Sequence, residues 1–98
     1  MSKLAIIGSI EVAPGKRNQL LAALRAHKDR CLKDEQGITL QFDILLPQED
    51  DSRVLLHEVY RDDAAFELHR NGASMAQFRK ETADLGVKVL VTRCAPVD

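Results

Sequence analysis

Residues 55–69, LLHEVYRDDAAFELH, hold the side chains best suited to chemistry in this sequence. Glu58 and Tyr60 interrupt an apolar run, and His69 follows at the far end of the next segment. A carboxylate can accept a proton, a phenol can hydrogen-bond a substrate oxygen, and imidazole is the natural base near neutral pH. Side by side they would move protons on and off a small molecule. Glu58 is the sharpest of the three. Side chains two apart on a strand share a face, so Val54, Leu56, Glu58 and Tyr60 form one row. A carboxylate there must be paired or must titrate above its usual range. The structural alternative is a salt bridge to Arg53, Arg93 or a partner subunit.

Tyr60 reads equally as a substrate-binding hydroxyl or as a half-buried strand tyrosine. His69 shares a helix side with Ala65 and Phe66 and so faces the sheet, as a base or as a satisfied core histidine. His27 borders the apolar arc of the first helix, from which it could reach the same space or sit exposed at the edge. His57 points away from Glu58, which suits a contact between subunits. Phe42, Phe66, Met75 and Phe78 would wall the space, as core first and lining second. Arg79 is either a basic contact at its margin or a solvated side chain.

The elements that must carry these groups can be read from hydrophobic period. KLAIIGSIEV, residues 3–12, is a strand ending in the turn Ala13-Pro14-Gly15. A helix from about Lys16 to Asp34 follows, with Leu20, Leu21, Leu24, Cys31 and Leu32 on its buried arc. ITLQFDILL, residues 38–46, alternates with Ile38, Leu40, Phe42, Ile44 and Leu46 as one apolar row. RVLLHEVYR pairs with it as a hairpin. Asp62 or Asp63 caps the next helix, Asn71-Gly72 breaks it, and Ser74 with Gln77 reads as a capping box for a further helical piece. Met75, Phe78, Thr82 and Leu85 mark the buried face of that piece. Gly86 stops it, and VKVLVTRC is the last strand.

The order is β-α-β-β-α-β, a single domain over 1–98. It predicts an α+β, ferredoxin-like antiparallel sheet with helices on one face and the first and third strands central. Both faces of those strands are apolar, and the chain has no element left for the second. A homodimer with its sheets face to face is therefore expected.

Composition excludes several classes. The chain is 45% hydrophobic and 30% charged with a net charge of −1, and its basic residues are interleaved with acids. That is no nucleic-acid footprint. No run is long enough to span a membrane, and Glu11 cuts the first apolar run at strand length, so it reads as a strand, not a leader. Cys31 and Cys94 have no CxxC or Cys/His spacing and read as buried thiols in a reducing cytoplasm. HEVY lacks the second histidine of a zinc motif, and GSIEVAPG lacks the spacing of a phosphate loop. Neither a metal nor a cofactor is expected.

EVYRDDAAFELH, preceded by the hairpin and by VAPGKRNQLLAALRAH, resembles the antibiotic biosynthesis monooxygenase family, in particular its quinol-monooxygenase-like branch. The Pro-Gly after the first strand and the EQG turn before TLQFDIL carry the likeness across nearly the whole chain. The resemblance implies a dimeric α/β barrel and oxidation of a small quinol or phenolic substrate by O2 without flavin, haem or metal. It favours a functional His69, and with Glu58 and Tyr60, singled out from the strand, this is the expected catalytic set. His27, Phe42, Phe66, Met75, Phe78 and Arg79 would bind the substrate. Haem-degrading members resemble one another in an asparagine, a tryptophan and a histidine where this chain has Gly8, His69 and Arg79, so haem breakdown is not implied. Two other readings remain. One is an isomerase or degradation enzyme for a small phosphorylated signal, held at Arg70 or Arg79. The other is a dimeric ligand-binding or stress-response module without turnover.

Overall fold

A computed structural model describes residues 2–97; Met1 and Asp98, the ends of the expected domain, lie outside the described residues. The elements are β1 (Leu4–Glu11), α1 (Arg17–Asp34), β2 (Thr39–Leu45), β3 (Arg53–Tyr60), α2 (Asp63–Arg70), α3 (Ala73–Thr82) and β4 (Lys88–Cys94). The strands form one antiparallel sheet in the order β2-β3-β1-β4. This is the ferredoxin-like α+β arrangement that the element order predicts, with β1 and β3 central. Among the described residues no helix is long and apolar enough to cross a membrane.

The two-residue period of the strands decides what faces the helices. On β1 this row is Leu4, Ile6, Gly8 and Ile10, and on β3 it is Val54, Leu56, Glu58 and Tyr60. The register sets Ile6 opposite Glu58 and Ile10 opposite Val54. Leu20, Leu24 and Cys31 of α1 and Phe78 of α3 pack into this surface. Leu4, Ile6, Tyr60, Ala65 and Phe66 form a second apolar cluster under α2.

Three local expectations are corrected. On α1, positions 20, 24, 27 and 31 are spaced by four, three and four and stack in one stripe. His27 therefore lies at its centre, buried, while Leu32 is turned about a quarter of the way round and is 38% exposed. On β2, the even-numbered apolar row breaks at a β-bulge between Thr39 and Gln41. The extra residue reverses the alternation, so Thr39 is buried and Leu40 is exposed. Leu46 falls beyond the strand and is exposed as well. On α3, the capping box does not form. The helix begins at Ala73 with Gly72 as N-cap and no side-chain cap bond. Ser74 is buried inside the helix. A Cβ at position 72 would stand 2.9 Å from the Leu68 carbonyl oxygen, so this close approach of the two helices needs glycine.

The opposite face of the sheet is apolar and uncovered by any described element. Ser9 lies between Leu55 and Leu90 in the register, and Ile7 lies beside His57. Ile7, Leu45 and Leu90 are exposed, and Leu55 and Val59 are half-buried.

Asp62 is the N-cap of α2, its Oδ1 accepting the Ala65 backbone N–H at 2.8 Å. Asp62→Ala should lower the unfolding free energy by about 1 kcal/mol, and Asp62→Ser by much less. Urea denaturation of the three proteins measures this, and equal stability of all three would contradict the cap.

Candidate active site

Gly8 leaves a gap in the inward row of β1, and β4 extends past the edge of the helical layer, exposed along both faces. The result is a cavity of about 160 Å³ between sheet and helices. Gly8, Leu56 and Glu58 line its sheet side, His27 and Phe78 its α1 and α3 sides, and Phe66 and His69 its α2 side. Val89 and Val91 form part of its rim on β4, and Arg70 also borders it. A larger groove of about 510 Å³ runs past Asp63 and Arg93, but it is open to solvent, and those two side chains pair with each other at 3.6 Å.

The sequence-predicted residues divide around this cavity. His27, Phe42, Glu58, Phe66, His69, Met75 and Phe78 all line it. Tyr60 does not. It is fully buried, and its hydroxyl donates a hydrogen bond to Glu58 Oε1. Arg79 is exposed and donates to the Arg70 carbonyl oxygen at 3.2 Å, so Arg70 is the cation at the cavity. His57 lies on the other sheet face, 3.3 Å from Asp43.

Glu58 forms no salt bridge with either cation that the sequence suggested. Arg53 pairs with Asp50, and Arg93 with Asp63 and Glu67. Burial pushes the Glu58 carboxyl above its ordinary value, and the Tyr60 hydrogen bond opposes this without reversing it. Burial and the neighbouring Glu58 push the Tyr60 phenol far above its own usual range. Tyr60 therefore stays protonated and acts as a fixed donor behind the cavity wall.

His69 Nδ1 lies 2.8 Å from Glu35 Oε1, and the Thr39 hydroxyl donates to the same oxygen at 2.8 Å. Burial raises the Glu35 carboxyl, but the hydrogen bonds from His69 and Thr39 outweigh it and hold the group below its ordinary value. An ionised carboxylate only accepts, so Nδ1 carries the proton of a neutral His69 and Nε2 is left with a free lone pair. Glu35 is held by the turn that ends α1. Gly37, at φ +78°, takes the left-handed conformation there, and the Ile38 and Thr39 amides return to the Glu35 carbonyl oxygen at 3.0 Å. The β2 bulge then turns Thr39 inward to meet the carboxylate.

His27 completes the group. Its ring lies 4.8 Å from that of Phe78 and 5.4 Å from that of His69. Burial first, then His69 and Arg30, lower its pKa to about 4, so it is neutral near pH 7. Cys31 stands between the histidines, and burial followed by Glu35 and Glu58 raises its thiol well above the usual range. Sequence reasoning gave Glu35 and Cys31 no part in the site. Their spacing held the signal, since Cys31 follows His27 by four residues on one side of α1 and Glu35, the C-cap, follows by four more.

The family model of the antibiotic biosynthesis monooxygenases matches residues 4–81. The chain belongs to this family. Its fold matches the crystal structure of PA3566 from Pseudomonas aeruginosa with a TM-score of 0.88 and 26% identity, covering 100% of this chain and 97% of that one. Rv0793 from Mycobacterium tuberculosis matches with a TM-score of 0.83 and 26% identity over 99% and 97% of the two chains. A Caulobacter crescentus protein named for the family shares the fold with a TM-score of 0.89 at 11% identity, over 99% and 92%. No curated protein matches. For a monooxygenase family member, the cavity offers an apolar space with a carboxyl and an imidazole on its wall.

The raised Glu58 carboxyl has a consequence for stability. A folded-state pKa above the unfolded one favours folding most below the ordinary value of 4.5, and this contribution is lost as pH rises through the raised value. Glu58→Gln lacks the loss. Its stability relative to the parent should grow as pH rises above 4.5 and then level off. Urea unfolding across that range reads the difference, and a flat difference would remove the shift.

Proposed function

We propose that this protein is a cofactor-independent monooxygenase of a small quinol or phenolic substrate. The observation that carries this reading is the apolar cavity of about 160 Å³ with Glu58 and His69 on its wall. An engineered cavity of about 150 Å³ binds benzene, so the space suits a single aromatic ring. Phe42, Phe66 and Phe78 give that ring edges and faces to pack against.

His69 Nε2 takes the proton of a substrate hydroxyl, while Glu35 holds the ring and favours the imidazolium that forms. The resulting quinolate gives electrons to O2 in a site where the apolar wall excludes water. One oxygen atom enters the ring at a C–H position, and the other leaves as water. The substrate supplies all four electrons: two as the quinol becomes a quinone, and two as C–H becomes C–OH. Glu58, whose carboxyl burial raises above its ordinary value, donates a hydrogen bond or proton to reduced oxygen in its protonated form. Apart from Arg70, the lining is apolar, aromatic or able to carry negative charge, which suits an aromatic ring better than a phosphorylated signal.

Oxygen uptake with a panel of one-ring and two-ring hydroquinones tests the proposal. Uptake should exceed autoxidation, and His69→Ala should lower kcat by about 100-fold or more, with a smaller loss for Glu58→Gln. Thermal unfolding of each variant separates this from lost structure. Unchanged turnover in both variants, or no uptake with any member of the panel, would sink the reading.

We further propose that two copies associate through the uncovered sheet face, in keeping with the dimeric barrel that the family resemblance implies. Ile7 and Leu90 are apolar and exposed there. Sedimentation at micromolar concentration should give twice the chain mass, and Ile7→Lys with Leu90→Lys should give the single mass. A parent chain that sediments as a monomer refutes the pairing.

A further inference from the structure

His27, Cys31 and His69 are all buried, and one potential ligand atom from each falls within 4.8 Å of the other two. Such a cluster is uncommon in a protein core. Two imidazoles and a thiol can make few hydrogen bonds with one another, and apolar side chains fill that space with less desolvation. Cys31 Sγ stands 3.5 Å from His27 Nε2 and 3.8 Å from His69 Nδ1. Bond lengths of about 2.3 Å to sulfur and 2.0–2.1 Å to nitrogen place neighbouring ligands of a tetrahedral zinc ion about 3.5 Å apart. Both sulfur-to-nitrogen distances are therefore already near that spacing. Glu35 Oε1, 2.8 Å from the same His69 nitrogen, offers a fourth ligand.

We propose that His27, Cys31, His69 and Glu35 form a site for one thiophilic divalent cation, with Zn²⁺ the best fit. The donor set of two imidazoles, one thiolate and one carboxylate matches a borderline-soft ion without geometric preference. The ion displaces one proton, that of the Cys31 thiol, and shifts the His69 ring proton from Nδ1 to Nε2. Sγ also lies 3.8 Å from His27 Nδ1, so the sulfur sits beside the His27 ring, not on the axis of either lone pair. A turn of this imidazole brings Nε2 onto the ion, and the adjoining cavity gives it room. The scaffold supplies the rest: α1 carries His27 and Cys31, its C-cap Glu35 follows at the next four-residue interval, and α2 brings the fourth ligand across to them. The inference stands apart from the proposed oxidation. If both hold, the metal-bound form is inactive, because a metal on Nδ1 puts the ring proton on Nε2.

The test uses the full chain carrying Cys94→Ser, freed of metal with a chelator and titrated with Co²⁺ and Zn²⁺ alone. One equivalent of Co²⁺ should bind and give visible bands of a tetrahedral ion together with a near-ultraviolet thiolate-to-cobalt band. Cys31→Ser should abolish the thiolate band, and His27→Ala should weaken binding by at least tenfold. X-ray absorption of the zinc-loaded protein needs no further variant, and should show one sulfur at about 2.3 Å with nitrogen or oxygen at about 2.0–2.1 Å. Failure to take up either ion at micromolar protein would overturn the site, as would a zinc shell without sulfur. Neither result bears on oxygen uptake, so the two proposals fail separately.

Discussion

The contact between Glu35 and His69 is the constraint on which the interior depends. It joins the C-cap of α1 to the last turn of α2 at 2.8 Å. A carboxylate and an imidazole leave water at a cost that their mutual hydrogen bond and the one from Thr39 offset. Each local irregularity nearby serves that pairing. The left-handed Gly37 ends α1 at the right place, and the bulge in β2 turns Thr39 inward at the expense of exposing Leu40. Moving any of the three would leave a buried charge with fewer donors.

The second polar pair, Glu58 and Tyr60, follows from strand geometry. Residues two apart must point the same way, so a carboxyl placed under the helices brings the phenol with it. The phenol satisfies the acid from within the protein and leaves the cavity side of the acid unobstructed. The two pairs thus hold unlike acids, Glu58 on the cavity wall and Glu35 behind His69: Glu35 is held below its ordinary pKa by donors, and Glu58 above it by burial. Divergence of this kind between neighbouring titratable groups is a common basis for dividing acid and base work.

Periodicity in the sequence is enough for the element order, the central strands, the shared row of Glu58 and Tyr60 and the sheet-ward side of His69, because these depend on spacing alone; it leaves open which sheet face meets the helices. It failed where one residue changed the phase. Leu40 reads as inward until the bulge is known, and nothing in ITLQFD announces an extra residue. His27 was placed at the edge of the helical stripe because Leu32 was counted within it; without Leu32 the stripe centres on the histidine. Tyr60 reads as a substrate-binding hydroxyl or a half-buried strand tyrosine as long as Glu58, two residues back on the same strand, is weighed as a proton carrier or an ion-pair member and not as the acceptor of the phenol. Glu35 looked like one more acid at a charged helix end. Its significance depends on α2 folding back over it, which is a tertiary fact that no local pattern contains.

The missing side chain at Gly8 gives the sheet an adjustable feature. A Cβ there would meet Leu56 at 3.4 Å, an ordinary van der Waals contact, so the backbone tolerates alanine without strain. Larger residues would extend into the void from β1, a strand that carries none of the polar groups on its wall. Capacity and reactivity are therefore set by different elements, and guest size could drift over generations by exchange at one position while the proton-handling apparatus stayed as it is.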